Sequence, residues 1–187
     1  MERITLKELL KLNKKDLIGK VIVFPTDTVY GVGCLYLDSI GRNKIFEMKK
    51  RDHLKLLPIL APSITSVKQI AKVDNKYDKY LKLWPGALTL IFESTDKNYI
   101  NDTIAIRIPD SNIALDILNH FGMMEVTSVN TSGEKEINDV FEIETKFSDF
   151  VDYVVTDKAE FSKISSTVVS LVNNDIKILR QGTIIIK

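Results

Sequence analysis

The chain has 187 residues, of which 44% are hydrophobic and 27% charged, as expected of a globular protein with a sizeable core. Its net charge of +1 excludes a global basic field, so any anion site must come from local clustering. One cysteine excludes an internal disulfide, no apolar run could span a membrane, and the start lacks the apolar core of a signal peptide. We therefore expect a cytoplasmic protein that forms a single domain over residues 1–187.

The first residues predict a helix followed by a strand. Thr5-Leu-Lys-Glu8 is a capping box, in which each end residue bonds the other's backbone N–H, and it opens a helix that runs to about Asp16. The apolar, β-branched run from Val21 is typical of a buried strand. Pro25 ends that strand, because proline has no N–H to donate to a sheet.

A polar cluster follows this first strand. Thr26, Asp27, Thr28 and Tyr30 provide hydroxyls and one carboxylate at the strand's carboxyl end, where open α/β sheets tend to bind ligands. The glycines of Gly31–Gly33 let the backbone turn tightly or approach a ligand. The pattern fits a ligand site and an ordinary polar turn about equally well.

The rest of the chain alternates between helices and strands. The predicted helices begin at Asp38 or Ser39, Ser66, Asp74, Asp110 or Ser111, and Asn138 or Asp139. The predicted strands are Leu56–Ala61, Ala87–Phe92, Thr103–Ile108, Glu125–Ser128, Val151–Val155, Thr167–Val172 and Ile176–Leu179. This alternation predicts an α/β protein with a mixed sheet.

Common catalytic and cofactor motifs are absent from the sequence. Neither the G-x-x-x-x-G-K-[ST] loop nor the G-x-G-x-x-G fingerprint of nucleotide-binding proteins occurs. His53, His120 and Cys34 do not have the spacing of a zinc site, and we predict no metal site. Cys34 follows an apolar strand, which favours a small buried residue over a nucleophile.

The basic residues form local groups. Lys49, Lys50, Arg51 and Lys55 lie at a predicted helix end and in the loop after it, as either a solvated face or a phosphate site. Arg107 stands between two isoleucines of a strand, where a charge is costly unless it is paired.

Two alternatives follow for Arg107. It could be a structural arginine bonded to a core carboxylate, or a ligand-binding arginine whose guanidinium faces water in the empty protein. Arg180, at a strand end, fits a solvated position or an anion site. The loop Ser128-Val-Asn130-Thr-Ser-Gly133 fits an Asx-type turn or a ligand loop.

These segments together resemble the YrdC-like family, the threonylcarbamoyl-AMP synthases, from about residue 18 to 183. The matching motifs, in family order, are Pro25–Gly33, Lys49–Arg51, Trp84–Thr89, Ala105–Pro109, Ser128–Gly133, Ser166–Val169 and Leu179–Gly182. Each motif is weak alone, but the whole set in this order is specific. The chain departs from the family pattern at Leu56, Val129 and Ser165, which affects the expected loop path and pocket volume but not the class.

The resemblance implies a twisted, open mixed sheet flanked by helices, with a concave ligand cleft. It also implies the synthesis of L-threonylcarbamoyl-adenylate and pyrophosphate from L-threonine, bicarbonate or CO2, and ATP with Mg²⁺, for threonylcarbamoyladenosine at position 37 of tRNA. The nucleophile is a carbamate built from threonine, so no catalytic Cys, Ser or His is needed. The likeness is to the short bacterial form, which works with separate threonylcarbamoyl transferase proteins. A weak contact to tRNA is compatible with this form.

The resemblance assigns residues to subsites by motif. The implied threonine subsite is Thr28, Leu60, Arg107, Ser128 and Ser166, with Tyr30 as a wall of the pocket. Lys49 and Arg51 are implied to be catalytic through the triphosphate, and the implied ATP subsite is Arg51, Lys55, Thr103, Asn130, Asn138 and Arg180. We expect the Lys49–Pro58 segment to close over the site.

Two other functions compete with this interpretation. An RNA-binding module of the same fold would have no synthase activity, and the net charge of +1 disfavours strong nonspecific binding. A carbamoyl-transfer domain like that of hydrogenase-maturation proteins would be accompanied by acylphosphatase and zinc-finger segments, and neither is visible in the sequence.

Overall fold

A computed structural model of the chain describes residues 1–52 and 55–186. The strands are β1 (Glu2–Ile4), β2 (Ile22–Pro25), β3 (Tyr30–Leu35), β4 (Ile59–Leu60), β5 (Leu88–Glu93), β6 (Thr103–Arg107), β7 (Met124–Ser128), β8 (Tyr153–Val155), β9 (Thr167–Ser170) and β10 (Lys177–Arg180). The helices are α1 (Leu6–Leu9), α2 (Ser39–Lys49), α3 (Ile64–Ile70), α4 (Asp78–Leu81), α5 (Asn112–Phe121) and α6 (Val140–Phe147).

All ten strands of these described ranges belong to one open sheet in the order β1-β8-β2-β3-β7-β4-β6-β5-β9-β10. The sheet is mixed, since β6 pairs with β4 in parallel and with β5 antiparallel. The predicted α/β class with a mixed sheet is confirmed. No helix of the described part of the chain is both long and apolar enough to span a bilayer.

The predicted helices with clear caps are confirmed. Asp38 caps α2 and Asp139 caps α6, each through its carboxylate. Ser111 caps α5, which ends at Gly122, where φ is +92° and glycine avoids the strain that a Cβ would cause.

Two helix predictions near other polar residues are wrong. The capping box at Thr5 is present, but α1 ends at Leu9 and a separate 3-10 turn over Lys14–Leu17 follows. Ser66 does not begin a helix, because the Ser63 hydroxyl accepts the Ser66 N–H and α3 begins one residue after Ser63.

The glycines after the first strand lie within a strand, which corrects the first of their two expected roles, a tight turn. Gly31 and Gly33 are in β3, between β2 and β7. A Cβ on either residue would lie 2.7 Å from a methyl group of Val126 on β7. The glycines therefore leave room for the Val126 side chain, and the turn lies earlier, between Pro25 and Tyr30. Strand β1, at one edge of the sheet, was not predicted.

Alternation along β6 separates the core from the opposite face of the sheet. Ile104 and Ile106 are fully buried in a cluster with residues of α3 and α4. Ala105 and Arg107 point to the other face. Helix α5 packs on that other face nearby, in a cluster that includes Leu60 of β4. Next to α5 the face is left open, and a cavity lies there.

We predict that the close approach of β3 and β7 leaves no room for a side chain at Gly31 or Gly33. Gly31→Ala should destabilise the protein by about 1–3 kcal/mol through overpacking against the side chain of Val126. Adding Val126→Ala should recover part of this loss in urea unfolding. Gly33→Ala is the contrasting variant, because its Cβ would also lie 2.9 Å from the Glu125 carbonyl oxygen, which Val126→Ala does not move. Equal recovery in both double variants would contradict this account.

Candidate active site

The cavity on the open sheet face holds about 160 Å³. It is lined by side chains of strands from β3 across to β10 and by the loop between β2 and β3. Its volume is below the roughly 300–1,000 Å³ of sites for drug-sized ligands, so it suits a small molecule. The structure brings together here all the residues expected to bind threonine, together with Arg180: Thr28, Leu60, Arg107, Ser128, Ser166 and Arg180.

Arg107 is buried and bonded within the protein. Its Nε donates to the Gly86 carbonyl at 3.0 Å, its Nη1 donates to the Thr28 hydroxyl at 2.8 Å, and its Nη2 pairs with the Asp27 carboxylate. Burial lowers the pKa of Arg107, and Asp27 opposes that shift. The residue is only 6% exposed, which corrects the expectation that the guanidinium of a ligand-binding arginine would face open water.

Both alternatives for Arg107 hold in part. The side chain has a carboxylate partner, as a structural arginine would, yet it also lines the cavity. A guanidinium has five N–H donors, and the three bonds of Arg107 use three of them. Two N–H groups are left for a ligand, which is what a bidentate carboxylate requires.

The hydroxyl groups of the cavity present acceptors. Thr26 donates its proton to the Val29 carbonyl at 2.8 Å, so the bond between Thr26 and Thr28 at 3.0 Å uses the proton of Thr28. Ser128 donates to the Asn130 side-chain oxygen at 2.8 Å. With their protons used inside the protein, Thr28 and Ser128 offer lone pairs, which an ammonium or a hydroxyl group of a ligand could bond.

Arg180 and Ser166 form the opposite wall. The Arg180 Nε donates to the Ser166 carbonyl at 2.9 Å and its Nη2 to the Ser166 hydroxyl at 3.1 Å. The Ser166 hydroxyl also shares a 2.8 Å bond with Thr89. Partial burial lowers the pKa of Arg180, and the nearby Glu136 carboxylate opposes this. Arg180 is otherwise exposed, so a larger anion can reach it from solvent.

The Lys49 ammonium is surrounded by oxygen atoms of the 128–130 loop and lies outside the cavity lining. Its ammonium donates to the Ser128 carbonyl, the Asn130 carbonyl and the Asn130 side-chain oxygen at 2.6, 3.0 and 2.7 Å. It is 2% exposed and does not line the cavity, so its geometry is that of a residue that fixes the 128–130 loop. Burial, and secondarily the charge of Arg51, lower the pKa of Lys49 to about 8. These surroundings favour a structural role for Lys49 over the expected contact with the triphosphate.

Arg51 braces the loop that follows α2. Its Nε and Nη2 donate to the carbonyls of Lys55 and Leu56 at 3.0 and 2.8 Å. Partial burial lowers the pKa of Arg51. The Lys55 side chain is exposed. Residues 53 and 54 of the segment expected to close over the site lie outside the described residues, and this bracing holds the next two residues in place.

The remaining predicted ATP residues do not line the first cavity. The Asn130 side chain is bonded to Lys49, Ser128 and the Glu134 carbonyl. Thr103 lies at the far end of β6, about 13 Å from Arg107 at a rise of about 3.3 Å per residue. The structure does not bring Thr103 to the cavity.

Asn138 and Tyr30 line a second, larger cavity of about 570 Å³. The Asn138 side-chain oxygen accepts the Tyr30 N–H at 3.0 Å, which leaves the amide NH2 group as a donor. The rings of Tyr30 and Phe161 meet edge to face with centroids 5.5 Å apart. An aromatic wall with one amide is a suitable surface for a planar ring that carries polar edges.

The segment 156–166 connects the two cavities, and Ser166 is the one residue of it that was assigned to the site from the sequence. It lines the second cavity with residues 156–161 and the first with Ser165 and Ser166. The N–H groups of Ser162 and Lys163 donate to the carbonyls of Asp27 and Thr28. Asp27 and the Gly86 carbonyl were also not assigned, because only the fold brings them to Arg107.

Comparison with known proteins places the chain in a family. A family model named for Sua5, YciO and YrdC, and described as "Telomere recombination", matches residues 17–182. The chain belongs to the Sua5/YciO/YrdC family. A protein of Methanocaldococcus jannaschii is 30% identical over 184 residues, which cover 95% of this chain and 87% of that protein. The threonylcarbamoyl-AMP synthase of Idiomarina loihiensis is 26% identical over 83% of this chain and 89% of its own length.

A solved family structure has the same architecture. The crystal structure of Pyrococcus abyssi Sua5 in complex with L-threonine superposes with a TM-score of 0.83 at 29% identity and covers 97% of this chain. This chain spans 56% of that Sua5 chain. The expected open mixed sheet flanked by helices is thus confirmed as the fold of a Sua5/YciO/YrdC family member.

For this family member we predict that Arg107 contributes to stability. Arg107→Ala should lower the free energy of unfolding by about 3 kcal/mol, since it leaves the partly buried Asp27 carboxylate and the Gly86 carbonyl without their partner. Urea unfolding measures this, and Asp27→Ala combined with Arg107→Ala should lose less than the sum of the single variants. Unchanged stability of Arg107→Ala would mean that the pair contributes nothing.

We predict that alkaline pH relieves the cost of burying Lys49. The folded-state pKa of about 8 lies below the ordinary lysine value of 10.5, so stability rises as pH increases through this interval. Relative to Lys49→Met, the free energy of unfolding of the parent protein should increase by about 2 kcal/mol from pH 7 to 9.5. The difference between the two proteins cancels other titrating groups, and a flat difference would contradict the lowered pKa.

Proposed function

We propose that this protein is an L-threonylcarbamoyl-AMP synthase, which forms threonylcarbamoyl-adenylate and pyrophosphate from L-threonine, bicarbonate or CO2, and ATP. The supporting observation is the first cavity, which is lined both by Arg107, with two N–H groups left over from its three bonds among the described residues, and by the Thr28 and Ser128 hydroxyls, whose protons are used inside the protein. Family membership and relatives named for this activity support the same reaction.

The amino-acid part of the proposal follows from matching donors to acceptors. The threonine carboxylate binds the free N–H groups of Arg107, and its ammonium or hydroxyl group donates to Thr28 and Ser128. Leu60 is 4% exposed and gives the threonine methyl group an apolar contact. Ser166 closes the subsite on the side of Arg180.

The nucleotide part of the proposal uses the rim and the second cavity. The cavity beside Asn138 and Tyr30 accommodates the nucleoside of ATP, and the phosphates extend toward Arg180, which solvent can reach. Arg51 and Lys55 provide further positive charge from the loop after α2, and Asn130 shapes the site through Ser128. ATP binds as its Mg²⁺ complex, with the ion as part of the substrate.

The chemistry requires positioning and charge stabilisation. The threonine ammonium first loses a proton to solvent. The neutral amine then attacks CO2, a C–N bond forms, and a second proton passes from the nitrogen to solvent to give a carbamate. A carbamate oxygen then attacks the α-phosphorus, and the bond to the β-phosphate oxygen breaks to release pyrophosphate. Arg180 is suited to stabilise charge that develops on the phosphates. We further propose that a separate transferase protein passes the product to tRNA.

The experiment that tests this function measures pyrophosphate release from ATP in the presence of bicarbonate and L-threonine. Release should depend on threonine, and a rate that is the same without threonine would contradict the proposal. Thr28→Val should raise the threonine KM about tenfold, because it removes an acceptor worth about 1.4 kcal/mol, and should leave ATP binding unchanged. Thr145→Val on α6 is the matched control, since it loses an exposed hydroxyl that lines neither of the two cavities.

A further inference from the structure

The two arginines of the first cavity differ in their electrostatic surroundings. Arg107 is buried and in direct contact with the Asp27 carboxylate, so the pair has no net charge. Arg180 is exposed, and its bonds go to the neutral carbonyl and hydroxyl of Ser166. Within residues 1–52 and 55–186, no carboxylate lies within salt-bridge distance of Arg180, and Glu136 acts on it only at longer range.

An enzyme that binds both an amino acid and a polyphosphate needs such a difference between its arginines to keep the two substrates in separate subsites. Both substrates carry anionic groups, and a bare arginine binds carboxylate and phosphate alike. A neutralised arginine still offers directional N–H donors, but it attracts a multiply charged anion much less strongly. The attraction of a zwitterionic amino acid to the site is reduced less by this neutralisation. The carboxylate paired with the arginine weakens the attraction of the amino acid's carboxylate, but it also attracts the amino acid's ammonium.

We propose that Asp27 is a specificity-determining residue, which neutralises Arg107 so that this subsite takes the carboxylate of a zwitterionic amino acid and rejects phosphate groups, which bind at Arg180. The inference rests on the function proposed above. Asp27 acts through Arg107, and it is well placed to do so because its carbonyl accepts the Ser162 N–H of the 156–166 segment. Its side chain is 14% exposed, so an incoming anion has little room to displace it.

Inorganic phosphate is the probe that tests this inference, since it is small enough to enter the first cavity. In the parent enzyme phosphate should inhibit pyrophosphate release in competition with ATP and not with threonine. In Asp27→Asn, which keeps an acceptor but removes the charge, phosphate should become competitive with threonine. The ratio of the phosphate inhibition constant to the threonine KM should fall at least tenfold, and Asp27→Glu should keep the parent ratio.

The matched control is Glu136→Gln, which removes an equal charge near Arg180 and Ser165 without touching Arg107. The same competition between phosphate and threonine in this control, or an unchanged ratio in Asp27→Asn, would overturn the inference. Competition with threonine in the parent enzyme would overturn it even if Asp27→Asn did not fold.

Failure of the proposed function would look different, as an absence of threonine-dependent pyrophosphate release in the parent enzyme. Calorimetry with phosphate alone then tests the inference. Asp27→Asn should gain a second phosphate site, at Arg107, in addition to the site at Arg180 that the parent also has. Adding Arg107→Ala should remove this second site. No such gain would overturn the inference.

Discussion

A guanidinium buried in the middle of the sheet constrains most of this structure. Arg107 lies on β6, an interior strand, where neither solvent nor a sheet edge can satisfy its charge. The loop between β2 and β3 must therefore bring a carboxylate and a hydroxyl to it, and the turn before β5 must bring a carbonyl. Those requirements fix three separate segments of the chain around one side chain, and the space beside it is the cavity.

The wall of hydroxyl groups follows from the same requirement. Thr28 uses one of its two lone pairs to accept from Arg107 and its proton to donate to Thr26, so its remaining lone pair can only accept from a ligand. On the other side of the cavity, Lys49 fixes the Ser128–Asn130 turn from behind and uses its charge inside the protein. The basic residues of this site therefore have two different roles. Lys49 holds the site in shape, and Arg180 remains available to a ligand.

Local signals in the sequence predicted the parts of the fold that local interactions determine. Helix α5 could be delimited because Ser111 and Gly122 act on neighbouring backbone groups. Strand β3 could not, because the reason for Gly31 and Gly33 is Val126, about ninety residues further along the chain. The motif match correctly predicted that the expected threonine residues lie around one cavity, namely Thr28, Leu60, Arg107, Ser128 and Ser166. It could not reveal the pairing of Asp27 with Arg107, the oxygen atoms around Lys49 or the distance of Thr103 from the cavity, which depend on tertiary structure.

The position of β10 gives the two halves of the cavity different local stabilities. Strand β10 is the outermost strand on its side of the sheet, it pairs only with β9 among the described residues, and all four of its residues are exposed. Strands in such positions fray at a small fraction of the free energy needed for global unfolding. We therefore expect the strand that carries Arg180 to open locally at a lower free-energy cost than the interior strand that carries Arg107. The cavity thus combines one wall of high local stability with one wall of low local stability.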